Sequence, residues 1–246
     1  MLHANVADGV HRVEDAYTNW YIVEDGDRLT IVDAGVPRSW ESLLEALRSL
    51  KRSTDDIAAV VLTHGHFDHL GFAERAREAL DVPVYVHEND VPLTRHPRRY
   101  GYERSPAYYF ATQFRAFPIV AALLRNRAWW PAPVADVQRY ENGTLDVPGR
   151  PLVVPTPGHT LGHCALQLPD RDVVIAGDAI VTLNPYTGRR GPQIVARAAT
   201  VDSPRALASL DALEATGART VLVGHGPPWT RGVDQAAAAA RAAGPS

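Results

Sequence analysis

The 246-residue sequence predicts an α/β fold in which two packed sheets are covered by helices. Strand-like runs fall into two groups, each group is accompanied by amphipathic helices, and neither half shows the strict strand–helix alternation of a doubly wound sheet. A hydrophobic fraction of 46 % with 22 % charged residues is that of an ordinary soluble globule, and the length suits one large domain over residues 1–246.

The elements follow in order. Residues 9–13, 18–24 and 28–33 alternate as short strands, with Asp25-Gly26 turning between the last two. A helix follows, with Ser39 as N-cap, Leu43, Leu44, Leu47 and Leu50 on one face, and Lys51-Arg52 closing it. Residues 57–63 form a continuous apolar run of strand length. A helix over 71–80 and a strand over 81–87, with proline near its start, complete the first group. Residues 92–135 break the rhythm and read as a helical insertion. Strands resume over 137–140, 152–156, 163–168, 172–176 and 220–223. A helix over 204–215, with Ser203 as N-cap and proline in its first turn, precedes the last strand, and a helix over 235–242 follows it.

Composition excludes several classes. The amino terminus has neither a basic region nor an apolar core of export-signal length, and no stretch approaches the roughly 20 apolar residues that span a bilayer. One cysteine, Cys164, rules out an internal disulfide framework and fits a reducing compartment, so the expected location is cytoplasmic. A formal net charge of −3 argues against bulk nucleic-acid binding.

The chemistry concentrates in His64-Gly65-His66-Phe67-Asp68-His69, which packs three imidazoles and a carboxylate into six residues. A tight loop after an extended run aims residues two apart at one point, leaving Asp68 and His69 to serve a second point beside it. Imidazole with carboxylate suits zinc, iron or manganese rather than copper(I) or calcium. Three further apolar runs end on ligand types: one leads through Pro157-Gly158 to His159, one through Gly177 to Asp178, and one through Gly224 to His225. Glycine directly before each lets backbone crowd one point.

The strings THGHFDH, TPGHTLGH, AGDA and LVGHG, in this order and at these separations, resemble the metallo-β-lactamase superfamily. The resemblance runs from the opening strands to His225 and implies a four-layer αββα sandwich of two mixed sheets, with a metal site at one edge between them. It places His64, His66 and His159 on a first metal, Asp68, His69 and His225 on a second, and Asp178 between both. It thus implies two divalent ions, zinc above all, with iron or manganese as alternatives. The expected reaction is hydrolysis by a hydroxide held between the ions. Asp68 either takes a proton in the attack or serves only as a ligand, while His163 either orients a ligand or is a core histidine.

Departures narrow the branch. The position of Asp178 is a cysteine in true two-zinc β-lactamases, so antibiotic hydrolysis is not expected. Glyoxalase II enzymes share the bridging Asp but append a helical domain, whereas only 21 residues follow His225. Lactonases of the superfamily place a tyrosine near the site, for which Tyr186 is the candidate, its alternative being an ordinary loop aromatic. The expected substrate is therefore an ester, lactone or thioester of a small molecule. Persulfide dioxygenases are similar in the same motifs but hold one iron on the counterparts of His64, His159 and Asp178, which keeps an oxidoreductase as the rival.

The insertion carries the only substrate signal. It holds nine of the chain's nineteen aromatics, one acid (Glu103), and seven arginines, at 95, 98, 99, 104, 115, 125 and 127. That composition suits a cap that binds an anionic, partly apolar molecule. The alternatives are a helical pair burying its aromatics on the sandwich or against a second subunit as a homodimer, and a basic surface that stacks single-stranded RNA in a nuclease.

Overall fold

Alternation of side chains along the strands builds the layers. The computed structural model describes all 246 residues. Strands β1 (Leu2–Ala7), β2 (Val10–Asp15), β3 (Thr18–Asp25) and β4 (Arg28–Val32) form an antiparallel meander. It continues through the parallel strands β5 (Ile57–Val61), β6 (Val84–His87) and β7 (Gln138–Tyr140) into one seven-stranded sheet in chain order. The second sheet contains β8 (Gly143–Thr144), β9 (Leu152–Pro155), β10 (Cys164–Leu168), β11 (Val173–Gly177) and β14 (Thr220–Val223) in the order β14-β11-β10-β9-β8, parallel only between β11 and β14. A separate ribbon pairs β12 (Val181–Leu183) with β13 (Arg190–Gln193). Both main sheets are thus mixed.

The period of two sorts residues onto opposite faces. In the first sheet Tyr21, Val23, Val32 and Val61 face the second sheet, meeting Leu166, Ile175 and Leu222 in the core between the layers. Their neighbours Trp20, Ile22, Ile31 and Val60 face outward and are covered by α1 (Ser39–Leu50) and α2 (Ala73–Leu80), which contribute Leu43, Leu47 and Ala76. On the far side, Val174, Ala176, Val221 and Val223 are covered by α7 (Leu210–Glu214) and α8 (Val233–Ala243). The order helix, sheet, sheet, helix is the predicted αββα sandwich.

Local readings differ at several ends. Ser39 is the first helical residue rather than the cap, and its hydroxyl accepts from the Val36 amide to close the preceding turn. Asp202, not Ser203, caps α6 (Ser203–Ala208) by accepting from the Arg205 amide at 2.9 Å, and Glu103 holds the Ser203 hydroxyl. The predicted 204–215 helix breaks at Ser209, whose hydroxyl donates to the Pro157 carbonyl. Strands β1, β8, β12 and β13 have no counterpart among the predicted elements. β1 is a partly exposed edge with no core-facing run, β8 has two residues, and β13 contains Gly191-Pro192, which reads as a breaker. Within 92–135 the chain forms α3 (Val91–Arg95), α4 (Pro106–Thr112) and α5 (Phe117–Arg125), as the helical reading of the insertion expects.

Candidate metal centre

Each candidate ligand leaves the carboxyl end of a strand or the loop just beyond it. β5 runs into His64, His66, Asp68 and His69; β9 leads to His159, β11 to Asp178 and β14 to His225. Parallel neighbours β11 and β14 deliver Asp178 and His225 side by side, and the Gly224 amide donates to the Gly177 carbonyl at 2.7 Å. A Cβ on Gly224 would collide with the Asp178 carboxylate, so only glycine lets these chains converge.

All seven side chains are buried and face one another. The ligand atoms of His64, His66 and His159 lie within 4.8 Å of one another, as do those of Asp68, His69 and His225. Asp178 stands between the two groups. Its carboxylate lies 3.3 Å from His159 Nε2, 3.4 Å from His225 Nε2 and 3.7 Å from His69 Nε2. The atoms that converge are otherwise unpartnered: Nε2 of His64, His66, His69 and His159, and Oδ1 of Asp178, are buried without a hydrogen bond. Buried polar groups are left unpaired at high cost, so a cluster of lone pairs aimed at one point fits cations. The residues present suit divalent metal ions.

A third grouping, Asp33 with His64 and His69, is geometrically close but already satisfied. Asp33 accepts from the Thr63 amide at 2.8 Å, the Thr63 hydroxyl at 2.9 Å and His69 Nδ1 at 3.0 Å. It therefore fixes His69 with Nε2 pointing inward, the arrangement that raises a ligand's basicity. His225 is set likewise, by Nδ1 donating to the Tyr17 carbonyl at 2.8 Å. His163 accepts the Asp178 amide on Nε2 at 3.0 Å and meets the Thr156 hydroxyl through Nδ1 at 2.7 Å, so it grips the backbone of Asp178.

The charges follow from this crowding. Burial, aided by the neighbouring imidazoles, holds His64 and His159 well below the ordinary histidine range, brings His66 down to about 3 and takes His163 to about 4. Burial would also lower His69, but Asp33 and Asp178 outweigh it and lift it to about 10. Burial disfavours a charged Asp178, yet His225 and His69 keep it ionised far below the usual carboxylate range.

Two residues escaped the reading of the sequence. Asp33 ends an apolar strand with a carboxylate, which is a usable signal. Asp90 gives none: buried at the start of the insertion, it accepts from the Gly65 amide at 2.9 Å, the Thr160 hydroxyl at 2.7 Å and the Gly162 amide at 2.8 Å. It thereby clips the loop bearing His64 and His66 to the loop bearing His159.

The insertion lies over this centre. The Tyr100 ring stands 5.1 Å from His66, Trp129 stacks on Phe67 at 5.4 Å, and Ile119 and Leu123 join Phe67 in one apolar cluster. A cavity of about 20 Å³ beside Asp68 is walled by Phe110, Leu123, Trp129 and Tyr186. Burial pushes the Tyr186 phenol well above its ordinary range, reinforced by Tyr100 and by the Asp68 and Asp178 carboxylates.

The profile of the metallo-β-lactamase superfamily matches residues 13–225. The chain belongs to that superfamily. Among curated relatives it is similar to the probable metallo-hydrolase YflN of Bacillus subtilis (strain 168), 28 % identical over 241 residues that cover 91 % of this chain and 86 % of that protein. Among solved structures it is similar to the metallo-β-lactamase family protein TTHA1429 of Thermus thermophilus, at 26 % identity and a TM-score of 0.68 over 94 % of this chain and 77 % of that one. It is also similar to TTHA1623 in a di-iron-bound form, at 27 % identity and a TM-score of 0.65 over 93 % and 96 % of the two chains. In this member of the superfamily seven histidine and aspartate side chains meet in a buried centre, and no helix is long and apolar enough to cross a membrane.

Proposed function

We propose that the protein is a dinuclear metallo-hydrolase of an ester, lactone or thioester of a small, anionic and partly apolar molecule. In this reading His64, His66 and His159 hold one divalent ion, Asp68, His69 and His225 hold the other, and Asp178 serves both. Zinc is the ion the donor set favours; the di-iron form of TTHA1623 shows that a relative of this fold accepts iron. Divalent ions bound there would supply Lewis-acid polarisation of a carbonyl and a water acidified toward neutral pH. The single observation that carries the reading is that five buried ligand atoms without a hydrogen bond belong to two adjoining groups of His and Asp side chains, with Asp178 between them.

The chain's own groups do the rest. Asp68, whose Oδ2 lies 3.5 Å from His225 Nε2, is placed to accept the proton released as water attacks. Asp33, His163 and the Tyr17 carbonyl hold His69, Asp178 and His225 in their working orientations before any substrate arrives. Tyr186 walls the small cavity beside Asp68 and lies against Tyr100, which places both phenols to orient the substrate's oxygen atoms, while Phe67, Leu123 and Trp129 pack the apolar side of the site and keep bulk water away.

Elemental analysis of protein purified without added metal, alongside a panel of lactones, thioesters and phosphodiesters, tests this. Two ions per chain and turnover of a carboxylic ester, lactone or thioester are expected. One iron per chain with thiol-dependent oxygen consumption, or turnover confined to phosphodiesters, overturns it.

A further inference from the structure

Outward from the metal centre the insertion presents a surface that the sandwich does not cover. Seven of the ten large hydrophobic side chains exposed on the whole molecule lie in residues 92–135, with Phe114 71 % exposed and Trp130 55 % exposed. None of the insertion's seven arginines makes an ion pair or donates a side-chain hydrogen bond, although arginines elsewhere, such as Arg52, Arg77 and Arg241, pair with carboxylates. The one acid, Glu103, is occupied: it accepts from the Ser203 amide at 2.7 Å and the Ser203 hydroxyl at 2.6 Å and lies 3.6 Å from Arg197.

These features meet in one footprint. Arg104 and Arg115 from the insertion, with Arg189 from the loop after β12, surround a hollow of about 520 Å³ whose rim carries Tyr108 and Phe114. No acidic side chain lines it; the Ser246 carboxylate at its edge is already held by the Tyr109 hydroxyl and the Arg197 amide. Phe114 packs edge-to-face on Phe117 at 5.6 Å, so two exposed phenyl rings project beside three guanidinium groups that have no anionic partner.

We propose that this footprint docks the protein on an anionic lipid bilayer, with headgroup phosphates in the arginine hollow and Phe114 and Phe117 entering the acyl boundary. Arginine pairs bidentately with phosphate, and aromatic and aliphatic side chains gain by leaving water at the interface. A self-complementary contact with a second copy fits worse: it sets unpaired arginines against themselves with no free acid to answer them. Single-stranded RNA also fits worse. The two phenyl rings stand at 89° to each other rather than offering parallel faces for bases, and Leu124 adds aliphatic surface beyond them.

Helix α4 links this surface to the metal centre, since Tyr108 faces the hollow while Phe110 walls the cavity beside Asp68. The substrate class that follows, an amphiphilic ester reached from the bilayer, rests on the hydrolase reading. The docking itself does not.

Sedimentation with vesicles separates the two. Wild-type protein is expected to pellet with vesicles of equal parts phosphatidylcholine and phosphatidylglycerol at low salt, to be released at high salt, and to stay in solution with pure phosphatidylcholine. Replacing Arg104, Arg115 and Arg189 together by Gln lowers the partition about a hundredfold, and Phe114→Ser with Phe117→Ser lowers it about tenfold or more. Both variants keep the wild-type melting temperature, because the changed side chains are exposed and make no ion pair. Wild-type protein remaining in solution, arginine variants that pellet like wild type, polyuridylate bound more tightly than vesicles, or a dimer dispersed by Phe114→Ser would each overturn the proposal. Vesicle binding without any hydrolase activity would instead sink the hydrolase reading and leave the docking intact.

Discussion

Asp33→Asn isolates what a buried carboxylate contributes behind a proposed metal ligand. The substitution keeps size and shape but replaces one oxygen by an NH2 group. Oδ1 must stay an acceptor for the Thr63 amide at 2.8 Å, so the new NH2 falls where Oδ2 now meets His69 Nδ1 at 3.0 Å. A donor there forces His69 into the other tautomer, with its proton on Nε2, the atom directed at the centre. Flipping the amide instead leaves the buried Thr63 N–H facing a donor, at a cost of about 1–3 kcal/mol. Either way, on the proposed dinuclear reading, the second ion binds about ten- to a hundredfold more weakly. Stoichiometry measured by elemental analysis after dialysis should fall from two ions toward one, with turnover falling at least in proportion. The melting temperature of metal-free protein should drop by a few degrees, about 2–4 °C per kcal/mol at this size. An Asp33→Asn protein that keeps both ions at wild-type affinity and full turnover would refute the argument that His69 is held by its tautomer.

Three further outcomes are expected. Asp178→Ala should abolish turnover and metal retention while leaving a folded protein by circular dichroism, since it removes a group shared by both ligand sets rather than core volume. Gly224→Ala should do nearly the same from a residue that bears no ligand atom, because its methyl strikes the Asp178 carboxylate; an active variant would mean that β14 can shift without losing the centre. The third concerns pH and metal-free protein. Histidines depressed by burial, His163 to about 4 and His66 to about 3, bind fewer protons folded than unfolded, so their effect on stability is lost as pH falls from 6.5. For His163 alone that is ~3 kcal/mol. His69, lifted to about 10, acts oppositely: its contribution is complete below pH 6.5 and disappears as pH rises through 10. Urea unfolding of metal-free protein should therefore show stability falling on both sides of about pH 6.5; a stability that climbs steadily toward pH 4 would contradict these environments.

The layers and the centre were legible in the sequence for one physical reason: both are written in strand ends. A strand buried on both faces must be apolar throughout, so Val61, Val174 and Val221 announce themselves, and whatever polar residue terminates such a run sits at a fixed edge of the sheet. His64, Asp178 and His225 are read that way. His159 is read from its glycine and the motif around it. What was not legible depends on contacts between segments far apart in the chain. Asp90 looks like any acid opening a short helix until the loops of Gly65 and Gly162 close on it from 25 and 72 residues away. The edge strand β1 lacks the burial that would mark it, and the Ser209 hydroxyl at the break between α6 and α7 bonds the Pro157 carbonyl, a partner 52 residues away. The insertion divides along the same line. Its composition showed that something basic and aromatic was present, but only the fold assigns Tyr100 and Trp129 to the metal centre and leaves Phe114 and Arg115 facing solvent. The surface of that segment is therefore a property of how the helices pack and not of the residues counted singly.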